Sequence, residues 1–152
     1  MLQEDSDFEV RIISPEATHT LRNEILDTFN RMNTSSFEGD DEPSAFHLGV
    51  FYQQGEEPIC VATFLQSSSK VHPEKSAYQL RGMATDPNFQ GQGAGSLLIQ
   101  TAESMLRDRD IEILWADCRT VALAFYRKLG WQVFGEEFDK VGVPHYVMEY
   151  EL

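Results

Sequence analysis

The chain has 152 residues, 41% of them hydrophobic and 11% aromatic, enough for one folded domain over residues 1–152 with a real core. Asp and Glu number 25 against 12 Lys and Arg, a net charge of −13; this repels phosphate backbones, excluding nucleic acid as an expected partner, and steers a cationic small molecule or basic peptide toward the chain. No apolar run approaches the ~20 residues of a bilayer span, and Met1-Leu2-Gln3-Glu4-Asp5 lacks the basic and apolar regions of a signal peptide, so a cytoplasmic location without membrane contact is expected.

Phe8 to Ile13 alternates weakly and reads as a first strand. Ser14-Pro15-Glu16 is a helix start: a capping Ser, Pro at the first helical position, then an acid at the positive end of the dipole. Leu21, Ile25, Phe29 and Met32 follow at helical spacing, giving an amphipathic helix to about residue 32. Residues 33–44 are polar and acidic, are broken by Gly39 and Pro43, and read as a mobile connection.

Phe46 to Tyr52 and Pro58 to Gln66 are expected as strands of a hairpin around Gln54-Gly55-Glu56-Glu57. A turn at His72-Pro73-Glu74-Lys75 leads into a strand from Ser76 to Thr85. Cys60 and Cys118 form no CxxC pair and have no clustered His, so Cys60 reads as a buried free thiol and no metal site is expected.

After Asp86-Pro87 comes Gln90-Gly91-Gln92-Gly93-Ala94-Gly95, running into a helix whose apolar stripe is Leu97, Leu98, Ala102, Met105 and Leu106. Ile111 to Ala116 is a short strand, parallel to the preceding one if the helix is an ordinary crossover. Val121 to Leu129 is a second helix, closed by Gly130. Trp131 to Phe138 and Tyr146 to Tyr150 complete the chain as strands around Val141-Gly142-Val143-Pro144. The order β-α-β-β-β-α-β-α-β-β predicts a single-domain mixed α/β sheet with flanking helices.

A strand that stops at a glycine-rich turn and opens a helix is an anion site: unpaired N–H groups converge there and the helix dipole favours negative charge. Gly93 and Gly95 have no Cβ to keep a pyrophosphate away. The GxGxG spacing at mid-chain does not match the dinucleotide fingerprint, and no Lys follows the turn as a P-loop requires. A tight turn without a ligand is the plain alternative.

These residues resemble the GCN5-related N-acetyltransferase (GNAT) family. Gln90-x-x-Gly93-x-Gly95 is similar to its Q/R-x-x-G-x-G/A pyrophosphate loop, and Met83-Ala84-Thr85-Asp86-Pro87 to its fourth strand with a D-P step. Ala122-Leu123-Ala124-Phe125-Tyr126-Arg127-Lys128-Leu129-Gly130-Trp131 is similar to its A-x-x-F/L-Y-x-K-x-G-F segment. The resemblance covers the element order of nearly the whole chain and implies central parallel strands splayed at their C-terminal ends.

It further implies acetyl-coenzyme A as cosubstrate. Its pantetheine arm would pair along Met83, Ala84 and Thr85, a backbone N–H there would polarise the thioester carbonyl, and the amides of Gln92, Gly93, Ala94, Gly95 and Ser96, beside Gln90 and Gly91, would hold the pyrophosphate. Tyr126 is the implied general acid for the departing thiolate; its alternative is a core aromatic beside Phe125. Arg119 stands where the family usually has a cofactor-contacting Asn, and an Arg there suits a phosphate or the substrate.

For the general base two candidates stay open: Asp117 at the end of the fifth strand, equally readable as a helix cap, and His145 in the last loop, equally readable as structural. His19, His47 and His72 have no partner pattern and read as structural; Glu136 and Glu137 read as a solvated strand end or as a cation-recognising pair. The acceptor is expected to be a primary amine on a cationic small molecule or peptide, and a homodimer is compatible with the sequence. The competing reading is a non-catalytic coenzyme-A-binding protein of the same fold.

Overall fold

A computed structural model describes residues 7–26 and 37–152. The predicted helical positions Phe29 and Met32 lie outside these residues, as do residues 33–36 of the acidic connection. The strands are β1 (Phe8–Ile13), β2 (Phe46–Tyr52), β3 (Cys60–Gln66), β4 (Ala77–Thr85), β5 (Ile113–Arg119), β6 (Gln132–Lys140) and β7 (Val143–Glu151); the helices are α1 (His19–Leu21), α2 (Ala94–Asp108) and α3 (Leu123–Lys128). Element order agrees with the expectation throughout.

The seven strands form one sheet, ordered β1-β2-β3-β4-β5-β7-β6. Pairs β1–β2, β2–β3, β5–β7 and β6–β7 are antiparallel, and β4–β5 is parallel. The parallel register runs from Ala77↔Ile113 to Gln79↔Trp115, the first three residues of each strand. Chain contacts divide the molecule into two compact units, Met1–Leu65 with Gly82–Ala102, and Gln66–Arg81 with Glu103–Leu152.

In the first unit, the Ser14 hydroxyl accepts from Ala17 N–H at 3.3 Å and starts a helical stretch of a 3-10 turn (Pro15–Thr18), α1 and a π turn (Arg22–Leu26). Leu21 packs with Val61 and Ala84, and Ile13 and Ile25 lie against them. Along α2, whose residues from Glu103 onward belong to the second unit, Leu98, Ile99, Ala102 and Leu106 are fully buried, whereas Leu97 and Met105 are half-buried. The stripe is thus turned slightly from its predicted position, with Ile99 taking a core place.

In the second unit, Leu114 and Met148 are fully buried, and Ala77, Ile113 and Trp115 pack together. α3 ends as predicted: Gly130, at φ +95°, lets Trp131 N–H donate to Tyr126 O at 3.1 Å. The β6–β7 hairpin is tighter than the four-residue turn expected. Val141 and Gly142 both take positive φ, so Val143 and Pro144 already belong to β7. Among the described residues no helix is long and apolar enough to cross a membrane.

Candidate active site

The glycine turn sits where the sequence places it. β4 gives way to a 3-10 turn (Pro87–Phe89) capped by the Asp86 carboxylate, which accepts from Asn88 N–H at 2.9 Å. Two glutamine side chains brace the glycine turn itself: Gln90 Nε2 donates to Thr85 O at 3.4 Å, and Gln92 Nε2 to Asn88 O at 3.3 Å. Gln90 and Gln92 therefore serve the loop through their side chains. Gly91 and Gly93 have φ of +78° and +92°, and a Cβ built on either meets nothing within 4 Å.

Leu97 N–H donates to Gly93 O at 3.0 Å as the helical ladder begins, so the amides of Ala94, Gly95 and Ser96 precede it. Among the described residues no side chain accepts from an amide of residues 91–96. Open space over Gly93, at the positive end of a 15-residue helix, fits a diphosphate.

Upstream on β4, Ala84 is buried, and Met83 and Thr85 are half-buried. Thr85 Oγ1 donates to Cys60 Sγ at 3.3 Å; burial pushes the Cys60 thiol up to about 11 despite that bond, which makes it the inert free thiol expected. Gly82, just before Met83, has φ +62°, and its missing Cβ would lie 2.6 Å from Phe37 Cε2. Only glycine satisfies both the left-handed backbone and the aromatic edge pressed against it.

Phe37 is held in turn by a buried ion pair that the sequence does not reveal. Arg22 donates to the Asp40 carboxylate at 2.7 and 3.1 Å and to Thr63 Oγ1 at 2.6 Å, and its guanidinium lies 4.0 Å from the Phe37 ring centre. Phe37 N–H donates to Asp40 at 3.0 Å. Burial alone would raise the Asp40 pKa, but Arg22 and the Phe37 amide hold it below the usual carboxylate range. His47 completes the network. Its Nε2 donates to Asp40 O at 3.0 Å, and its Nδ1 lies 2.7 Å from Thr63 Oγ1. Both nitrogens are used, consistent with a structural His47. Residues 37–40 are thus an anchored segment, a correction to the mobile connection expected there.

In the second unit Tyr126 is buried on α3, its ring 5.0 Å from Phe125 and 5.1 Å from Trp131. Trp131 Nε1 donates to Glu103 at 3.4 Å; burial raises the Glu103 pKa even though that bond and Arg107 lower it.

His145 is corrected from loop to strand. It lies in β7 opposite both Arg119 and Phe138, is 9% exposed, and its ring centre is 6.0 Å from that of Phe138. Its Nδ1 is 2.8 Å from Val143 O. A carbonyl only accepts, so Nδ1 carries a proton, and in the neutral ring the lone pair is then on Nε2.

Asp117 is also corrected. β5 continues to Arg119, which puts Asp117 inside the strand, where it cannot cap a helix; Arg119 takes the cap position of the 3-10 turn Thr120–Ala122 without a side-chain cap bond. Lys70 Nζ donates to the Asp117 carboxylate at 2.8 and 3.0 Å, and Lys140 Nζ at 3.1 Å. Burial would raise the Asp117 pKa; the two lysines outweigh it and hold the group low, which makes it a poor proton acceptor. The neighbouring Cys118 thiol is pushed to about 12 by burial and by the Asp117 charge.

His72 does have a partner: its Nδ1 is 2.7 Å from Glu149, whose other oxygen accepts from the Ser69 hydroxyl. Glu136 and Glu137 are exposed on β6, and Glu137 accepts from Thr120 Oγ1 at 2.8 Å.

The Acetyltransferase (GNAT) domain family matches residues 14–152. Bacillus subtilis (strain 168) has a relative, "Uncharacterized N-acetyltransferase YitI", 37% identical over 144 residues and 95% of both chains. The fold is also that of FeeM, an N-acyl amino acid synthase from uncultured soil microbes, with a TM-score of 0.77 at 16% identity over 95% of this chain and 90% of that one. An acyl-CoA N-acyltransferase from Pseudomonas aeruginosa superposes with a TM-score of 0.73 at 15% identity over 93% and 98%. The chain belongs to the GNAT family and is an acyl-CoA-dependent N-acyltransferase whose acceptors are amines.

Proposed function

We propose that this enzyme, acting as one domain, transfers acetyl from acetyl-coenzyme A to a primary amine of a small molecule or peptide by direct attack in a ternary complex. The observation carrying this reading is the open, left-handed glycine turn at the head of α2, whose amides donate to no side chain among the described residues. The amides of Gln92 to Ser96 hold the diphosphate, and the backbone of Met83 to Thr85 pairs with the pantetheine arm. Gln90 and Gly91 shape the turn, and Arg119 contributes charge toward a phosphate or the acceptor. The thioester supplies the activated acyl group.

His145 Nε2 takes the proton that the ammonium must lose before its nitrogen attacks, a role its fixed tautomer supports. As the C–N bond forms and the C–S bond breaks, Tyr126 donates a proton to the departing sulfur. Asp117 acts by organising Lys70 and Lys140 and takes no proton itself. The net charge of −13 favours approach of the acceptor's ammonium end.

Calorimetric titration with acetyl-coenzyme A, paired with thiol release on a panel of amines, tests the reading. Tyr126→Phe keeps the ring packed against Phe125 and Trp131 and removes only the hydroxyl. Cofactor binding should persist while kcat falls about 100-fold or more. An unchanged kcat would remove Tyr126 from the chemistry, and absence of cofactor binding by the wild-type enzyme would overturn the whole reading.

A further inference from the structure

Lys70 and Lys140 both converge on Asp117, whose side chain is only 6% exposed, yet they keep 48% and 43% of their own side-chain surface. Two ammonium groups against one carboxylate leave a local excess of one positive charge, in a chain whose net charge is −13. Asp139 accepts from Gly142 N–H at 3.2 Å and Glu137 from Thr120 Oγ1 at 2.8 Å, and among the described residues neither carboxylate forms an ion pair with Lys70 or Lys140. Each ammonium carries three donors; Lys70 directs two contacts at Asp117 and Lys140 one, so donors remain for a further anion.

The place matters as much as the charge. Asp117 lies toward the C-terminal end of β5, the end of a parallel strand where ligands of α/β sheets collect, and α3 with Tyr126 follows it. Aromatic rings flank the cation: Lys70 Nζ is 5.5 Å from the Trp115 ring centre and 5.1 Å from that of Phe138. Phe138 is the ring that His145 also packs against, at 6.0 Å. Lys70 and the proposed base thus share one aromatic neighbour, Phe138.

We propose that Lys70 and Lys140 bind an anionic group of the acceptor, so that the substrate class is amines bearing a carboxylate a few bonds from the nitrogen. This rests on the N-acetyltransferase reading above. The carboxylate docks on the lysines, with Asp117 holding them in place, while the amine end reaches His145.

Acetyl transfer is measured for α- and ω-amino acids beside their carboxamides, which share a skeleton and differ only at the anion. The wild-type enzyme should favour the acids about tenfold to 100-fold in kcat/KM, mainly through KM. Lys70→Met with Lys140→Met should collapse that ratio by raising KM for the acids alone, and Lys70→Arg with Lys140→Arg should retain it. Carboxamides acetylated as well as the acids by the wild-type enzyme would overturn the inference while leaving the N-acetyltransferase reading intact. A ratio unmoved by the Met pair would overturn it too. The wild-type ratio needs no substitution, so a poorly folded variant does not shelter the inference. Lack of acetyl-coenzyme A binding would instead sink the underlying reading.

Discussion

The imidazole Nδ1 of His145 lies 2.8 Å from the carbonyl oxygen of Val143, two residues back along the same strand. That contact selects, for the neutral ring, the tautomer with its lone pair on Nε2. His145→Gln preserves a donor near this position but has no basic nitrogen. It should lower kcat/KM for the amine about 100-fold to 10,000-fold with cofactor affinity intact. Steady-state kinetics alongside calorimetry checks this; full turnover by the Gln variant would show that the amine loses its proton elsewhere.

The Gly93 backbone, at φ +92° beneath open space, is suited to a ligand approaching closely. Gly93→Ala should weaken acetyl-coenzyme A binding about tenfold or more, the worth of one charge-assisted hydrogen bond. The strained backbone should cost about 1–3 kcal/mol of stability as well. Titration calorimetry and thermal unfolding separate the two effects, and an unaltered dissociation constant would count against the cradle.

The Arg22–Asp40 pair has side chains 0% and 3% exposed. Removing one partner strands the other charge, so Asp40→Ala should destabilise the protein by about 3–5 kcal/mol in denaturant unfolding at neutral pH. Because the folded-state pKa of Asp40 is depressed, its stabilisation is present above the ordinary carboxylate pKa of about 4 and is lost as pH falls through the lower folded value. The difference between wild type and Asp40→Ala should therefore shrink on acidification below about pH 4; a gap that widens there would contradict this assignment.

At the tip of the β6–β7 hairpin, Val141 has φ +54° and is 55% exposed. A β-branched residue is strained in this region, whereas Asn followed by Gly is the favoured pair for such a turn. Val141→Asn should raise stability by about 1 kcal/mol, visible as an increase in Tm. A lower Tm would mean that Val141 makes a stabilising contact.

Local chemistry explains how much could be read in advance. The Ser14 cap, the Gly130 helix stop, the weak alternation of β1 and the turn from Gln90 to Ser96 each depend on residues a few positions apart, so the sequence alone determined the element order and the glycine turn. The departures are also local in origin: the sequence suggests a four-residue turn where Val141 and Gly142 suffice, which leaves His145 outside its strand, and it suggests a strand ending at Ala116 where β5 continues to Arg119.

Side-chain partnerships needed the tertiary structure. Arg22 meets Asp40 across 18 positions and Thr63 across 41, Lys70 meets Asp117 across 47, and Ser69 meets Glu149 across 80. Periodicity tells which face of a strand is apolar, but register decides which residue stands opposite another, and a slip of one residue reverses the faces. The sequence therefore determined that a glycine-rich turn opens a helix here, while only chain folding decided that Asp117 is paired with two lysines and that His145 Nδ1 meets the Val143 carbonyl.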